Sequence, residues 1–172
     1  MGKLKKGIRP TSGKVRKALF DIIRKYIKGA CFLELYAGTG AIGIEAMRQG
    51  AESVVFVEAN RLRVRDIQRS IQRYGLSDHT MVFNEKVLYF IQHAPARFRG
   101  FDIIFLDPPY HSDEVIKALV AIDKSEILKD DGVVIAEHFT KRGLPERFDR
   151  LKRINDYRYG DTMLSLYKKE RQ

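Results

Sequence analysis

Asp107-Pro108-Pro109-Tyr110 sets a carboxylate, a backbone carbonyl and an aromatic ring within four consecutive residues. Those groups suit one difficult task, activation of an amine attached to an aromatic base. Such an amine is a poor nucleophile because its lone pair is conjugated with the ring. The Asp107 carboxylate and the Pro108 carbonyl can accept its two hydrogens and favour the pyramidal, nucleophilic form as positive charge develops. Tyr110 can stack on the base, which must leave any helix to reach such a pocket.

A second constellation lies earlier. Leu35-Tyr36-Ala37-Gly38-Thr39-Gly40-Ala41-Ile42-Gly43 carries Gly38, Gly40 and Gly43 in a GxGxxG pattern. Glycines so spaced permit a tight turn and close approach of a ligand to a helix N-terminus. Glu58 follows Gly38 by twenty residues, placed to accept hydrogen bonds from two ribose hydroxyls. Two cofactors fit this pattern, a dinucleotide and S-adenosylmethionine (SAM). Glu34, four residues before Gly38, suits SAM better, and Asp107-Pro108-Pro109-Tyr110 has no role in hydride transfer.

The elements must hold these groups at one edge. Residues 103–106 are apolar without a break and read as a strand buried on both faces. Pro108 and Pro109 end it, since neither can donate to a ladder. Asp107 therefore stands at the carboxyl edge of a sheet, where open α/β sheets bind ligands. Ser12 caps a helix that Gly29 closes, with Val15, Leu19, Ile22, Ile23, Tyr26 and Ile27 at helical spacing. Strands at 31–36, 53–58, 80–83 and 132–137 alternate with helices at 41–48, 60–74, 87–93 and from Ser112 or Asp113 to 122. Two further strands, 151–157 and 162–167, joined by the four residues 158–161, make an antiparallel hairpin. The pattern predicts an α/β fold, a mostly parallel seven-stranded sheet ending in that hairpin, with helices on both faces. One domain spans 1–172, comprising a basic arm 1–11, an N-terminal helix 12–28 and a Rossmann-like core 31–168.

Composition narrows the partners. The net charge is +10, and residues 1–28 hold ten Lys or Arg against Asp21 alone. Arg61, Arg63, Arg65, Arg69 and Arg73 form a second cluster on a predicted helix. So uneven a cationic excess points to nucleic acid. No apolar run is long enough for a membrane span, and no apolar segment follows the basic N-terminus as a secretory signal requires. Cys31, the single cysteine, fits a reducing compartment, the cytoplasm. The four histidines are scattered without metal-ligand spacing and read as surface or loop residues. Glu137 ends the fifth strand, either reaching the pocket or pairing with Lys141 or Arg142.

Taken together, Leu33-Glu34-Leu35-Tyr36-Ala37-Gly38-Thr39-Gly40, Phe56-Val57-Glu58 and Phe105-Leu106-Asp107-Pro108-Pro109-Tyr110 resemble the SAM-dependent amino-methyltransferases. Arg9-Pro10-Thr11 with Val15-Arg16-Lys17-Ala18-Leu19-Phe20, and Tyr159-Gly160-Asp161-Thr162 with Leu166-Tyr167, resemble the two ends of the RsmD-type family. That family methylates the guanine 2-amino group in small-subunit (16S) ribosomal RNA. The resemblance implies a class I SAM-methyltransferase fold. It places Glu34, Tyr36, Gly38, Thr39 and Gly40 around the methionine part of SAM and Glu58 at its ribose. Where the family has an acidic or amide residue near the adenine, the run here is Asn84-Glu85-Lys86, which makes Glu85 the candidate. Asp107 and Pro108 would hold the guanine amine, Tyr110 would face the base, and Arg9, Thr11, Arg16 and Lys17 would contact RNA. The implied partner is ribosomal RNA, free or within a small-subunit assembly particle, bound by a monomer without metal. Adenine-N6 methylation of DNA or RNA rests on the same amine chemistry. An inactive RNA-binding module and a dehydrogenase are the alternatives of other classes.

Overall fold

The structure, a computed structural model, describes residues 12–98, 100–110 and 112–170. The arm 1–11, with Arg9 and Thr11, and His111 lie outside the described residues.

Helix α1, Gly13–Ile27, begins where the sequence predicts, with the Ser12 hydroxyl accepting from the Val15 amide at 3.3 Å. It buries Val15, Ala18, Leu19, Ile23 and Ile27 as one stripe and leaves Lys14, Arg16, Lys17, Arg24 and Lys25 exposed. There follow β1 (Cys31–Leu35), α2 (Ala41–Arg48), β2 (Ser53–Val57), α3 (Arg61–Arg73), β3 (Thr80–Phe83), α4 (Val87–His93), β4 (Phe101–Leu106), α5 (Glu114–Asp123), β5 (Leu128–Phe139), β6 (Leu151–Tyr159) and β7 (Thr162–Lys169). Asn60 caps α3, its Oδ1 accepting from the amides of Leu62 and Arg63 at 2.9 and 3.3 Å.

The strands form one seven-stranded sheet in the order β3-β2-β1-β4-β5-β7-β6. β7 is antiparallel to both β5 and β6, and the other pairs are parallel. The chain moves outward in one direction from β1 to β3 and in the other from β4, so the order reverses between β1 and β4. That reversal opens a crevice at the carboxyl ends of the strands. Phe32, Phe56, Ile103, Phe105 and Ile135 pack on one face beneath α1, α2 and α3. Leu33, Leu35, Ile104, Leu106 and Val134 pack on the other beneath α4 and α5. This is the mostly parallel, doubly wound sheet with a C-terminal antiparallel hairpin that the sequence predicts.

Three expectations are corrected. β5 runs four residues further towards its N-terminus than 132–137, because Leu128 pairs with Phe101 across a register shift. The polar run Lys129-Asp130-Asp131 takes strand conformation at that irregularity. The β6–β7 loop has two residues, Gly160 and Asp161, since Tyr159 already pairs with Thr162. His138 is no surface residue: it is 5% exposed inside β5, with Nε2 2.8 Å from the Ser165 hydroxyl. A polar side chain in a buried strand needs such a partner, which single-sequence spacing cannot reveal.

Candidate active site

Side chains alternate across a strand, so a residue two positions beyond a core residue lies on the same face. Phe56, Phe32, Phe105 and Ile135 belong to the core under α1–α3, and two residues on come Glu58, Glu34, Asp107 and Glu137. Four adjacent strands, β2, β1, β4 and β5, therefore present carboxylates on one face at or near the carboxyl edge. Glu34, Glu58 and Glu137 are buried and Asp107 is half-buried.

The turn after β1 is shaped by its backbone. Tyr36, Gly38 and Gly40 all take positive φ, 57°, 59° and 74°. For Tyr36 that left-handed conformation is strained, and it is held because the Tyr36 hydroxyl donates to Glu114 Oε2 at 3.0 Å. Gly43 serves packing instead: a Cβ there would stand 2.4 Å from the Phe56 ring and 2.8 Å from Glu34 Oε2. The absence of that Cβ lets α2 sit directly on the sheet. Thr39, at the tip of the turn, is exposed.

Glu58 joins the two loops that edge the crevice. Its Oε2 accepts from the Gly38 amide at 2.8 Å and its Oε1 from the Asn60 amide at 2.8 Å. Arg63 lies 3.8 Å from Oε1. Asn84, from the loop after β3, donates to the carbonyls of Glu58 and Ala59 at 3.0 Å each, and Glu85 follows it, half-buried. The glycine turn, Glu58 and the loop that carries Glu85 thus meet at the carboxyl ends of β1, β2 and β3. Left-handed glycines beside a carboxylate at such an edge suit an adenosine-type ligand.

Glu34 lies beneath that turn. Its Oε2 accepts from the Gly43 amide at 2.8 Å. Burial pushes its carboxyl up to about 8; the Gly43 amide opposes the shift, and the charge of nearby Asp107 adds to it. The folded chain therefore holds a proton that the unfolded chain releases near 4.5. The stability contributed by neutral Glu34 is complete below the unfolded value and is lost as pH rises through the folded one. The thermal midpoint of the ligand-free protein should fall between pH 4.5 and about 8 more steeply than that of Glu34→Gln. Scanning calorimetry across this window reads the difference; identical slopes would show that Glu34 does not titrate there.

On the other side of the crevice, the loop after β4 is tied at several points. Ser112 folds back on the Pro109 carbonyl, its amide at 3.2 Å and its hydroxyl at 2.8 Å. Asp113 occupies the N-cap of α5 but its side chain pairs with Arg142 instead of capping. Tyr110 reaches Thr162 at the start of β7, with 2.9 Å between the hydroxyl oxygens, and its ring lies 6.0 Å from that of Phe139. Pro108 is buried and Tyr110 half-buried. Glu114 and Phe139 are additions to the residues singled out from sequence, while Arg142 is read there as a partner for Glu137. Thr162 carries its signal in the run Tyr159-Gly160-Asp161-Thr162.

Arg16 and Lys17 sit one turn into α1 and line a cleft of about 300 Å³ between α1 and α2, together with Arg24 and the acidic Asp21 and Glu45. The far end of α1 lies at the amino edge of the sheet, where Tyr26 stacks under Lys168 at 4.8 Å. Arg61, Arg65, Arg69 and Arg73 are exposed on α3.

The chain matches the family described as conserved hypothetical protein 95 over residues 3–168. A Bacillus subtilis protein, named as a candidate rRNA methyltransferase YlbH, is 34% identical over 161 residues, 94% of this chain and 88% of its own. The ribosomal RNA small subunit methyltransferase D of Haemophilus influenzae is 30% identical over 149 residues, covering 85% and 77% of the two chains. Among solved structures, an Escherichia coli protein named as a candidate methyltransferase, yhhF, superposes with TM-score 0.86 at 22% identity, covering 98% and 92%. At that identity the likeness is one of fold.

Proposed function

The chain belongs to the RsmD-type family described as conserved hypothetical protein 95, and from that premise we propose that it transfers a methyl group from SAM to the 2-amino group of a guanine in small-subunit ribosomal RNA. The observation that carries this reading is the placement of Asp107 on the same sheet face as Glu34 and Glu58, one strand from β1. A nucleotide groove and an amine-holding carboxylate then adjoin at the switch point of the sheet. The names of the relatives supply the substrate class.

When bound, SAM supplies an electrophilic methyl group on a sulfonium sulfur. Glu58 accepts from the ribose hydroxyls while its existing bonds keep the glycine turn in place, and Glu85 borders the adenine. Glu34 and the turn Tyr36-Ala37-Gly38-Thr39-Gly40 surround the cationic methionine end, whose charge draws the proton from Glu34. Asp107 and the Pro108 carbonyl accept the two amine hydrogens, which turns the nitrogen lone pair towards the methyl carbon. Asp107 would balance the positive charge that develops on nitrogen as the sulfur–methyl bond gives way to the new N–C bond, and one amine proton would then leave to solvent. Tyr110 stacks on the extruded base.

The test is transfer of labelled methyl from SAM to unmodified small-subunit RNA and to assembly particles, followed by digestion to nucleosides. N2-methylguanosine is expected. Label recovered as N6-methyladenosine would replace guanine by adenine, and no transfer to either substrate would remove the enzymatic reading.

RNA is held, in this reading, by the first turns of α1. Each lost phosphate contact lowers the salt slope of log affinity by about 0.7 for single strands. Arg16→Ala with Lys17→Ala should weaken RNA binding and flatten its salt dependence while SAM affinity is unchanged. Affinities measured across a salt series decide it. Equal affinities with parallel slopes would move the RNA surface to the arginines of α3.

A further inference from the structure

Stacking on a base uses the face of a tyrosine ring and leaves its hydroxyl without a task. In this chain the Tyr110 hydroxyl is 2.9 Å from that of Thr162, across fifty-two residues of sequence. We propose that Thr162 is a positioning residue for the base platform: the C-terminal hairpin sets the orientation of the Tyr110 ring, and thereby the productive seating of the target base. The inference rests on the use of Tyr110 proposed above.

Three observations converge on Thr162. It is buried, and it pairs with Phe139 on one side and with Tyr159 on the other, so its backbone is fixed from both flanks. Its β-branched side chain has few rotamers, which aims the hydroxyl. Phe139, opposite Thr162 in the ladder, also lies against the Tyr110 ring at 6.0 Å and 56° between planes. The ring is thus held at its hydroxyl by β7 and along its side by β5.

The turn before Thr162 sets the register. Gly160, at φ +59°, opens a two-residue loop, and such loops match the twist of the strands they join. The Thr140 amide donates to the Asp161 carbonyl at 2.9 Å and fastens that turn to the end of β5. A slip of one residue would carry the Thr162 hydroxyl to the opposite face. The tyrosine needs such a tether because it ends a loop, Asp107-Pro108-Pro109-Tyr110, that no ladder holds. An untethered ring would spend part of its time in other rotamers and would lose freedom only when the base arrives.

Thr162→Val keeps the shape and removes the hydroxyl; Thr162→Ser keeps the hydroxyl; Tyr110→Phe cuts the same bond from the other side. Thr162→Val should lower kcat/KM for RNA roughly three- to tenfold, the scale of one neutral hydrogen bond, with SAM affinity and thermal midpoint near wild type. Thr162→Ser should restore most of the activity. Tyr110→Phe combined with Thr162→Val should be no worse than either alone, because the two share one interaction. A second arm uses a single-stranded RNA oligomer with 2-aminopurine at the target position, whose fluorescence falls on stacking whether or not methyl transfer follows. Thr162→Val should weaken that quenching. Quenching by a wild type that transfers no methyl would overturn the enzymatic reading while leaving the tether intact. Additive losses in the double variant, an equal loss in Thr162→Ser, or wild-type behaviour of Thr162→Val in both arms would overturn the tether.

Discussion

Asp107→Ala loses on the order of 100- to 1,000-fold in methyl transfer, the usual consequence of removing one group that stabilises developing charge, and keeps SAM affinity within a few fold. The expectation follows from position. Asp107 stands just past β4, half-buried, on the face that carries Glu34 and Glu58. Asp107→Asn separates charge from geometry, since an amide can still accept one hydrogen bond but cannot balance a cationic nitrogen. It should fall between wild type and alanine. Single-turnover transfer from labelled SAM is the measurement, with calorimetry for cofactor affinity. More than a tenth of wild-type turnover in Asp107→Ala would remove this residue from the chemistry.

Glu58→Ala weakens SAM binding by roughly 1.5–3 kcal/mol, about 10- to 150-fold in Kd, the scale of hydrogen bonds to a charged group. Two effects combine. The ribose loses its acceptor, and the amides of Gly38 and Asn60 lose theirs, so the glycine turn is no longer tied to the loop after β2. Glu58→Gln retains one acceptor oxygen and should lose less. Titration calorimetry reads both, and an unchanged Kd for Glu58→Ala would put the ribose elsewhere on the sheet.

The parts legible in the sequence are those dictated by short-range physics. Strand β4 announces itself because four apolar residues meet two prolines, and α1 because its stripe and its Ser12 cap agree. Gly43 is legible as part of the GxGxxG spacing, and the contacts a Cβ would make with Phe56 and Glu34 show that its smallness serves packing. What stayed hidden depends on contacts between distant residues. The partner of Tyr110 is fixed by the register of a hairpin, and that register turns on whether Tyr159 belongs to the loop or to β6. Likewise, Arg142 is an obvious cation, but the sequence offers it Glu137 as a neighbour, while the folded chain gives it Asp113. His138 looks like loop material until β5 is seen to run to Phe139 with Ser165 beside it. Tyr36 is the remaining case: no local rule predicts a tyrosine at positive φ, and the bond to Glu114 that holds it spans 78 residues.

The place of β7 in the sheet has a consequence for how the chain comes to exist. β7 lies between β5 and β6 yet follows both in sequence. A chain emerging from the ribosome has completed its glycine turn, Asp107 and all of β5 before the strand that covers β5 has been made. Until residues 162–169 emerge, β5 offers an apolar open edge, Val133-Val134-Ile135-Ala136, of the kind that recruits other chains. Of the seven strands, the one that follows the others in sequence is therefore the one that covers the apolar edge of β5.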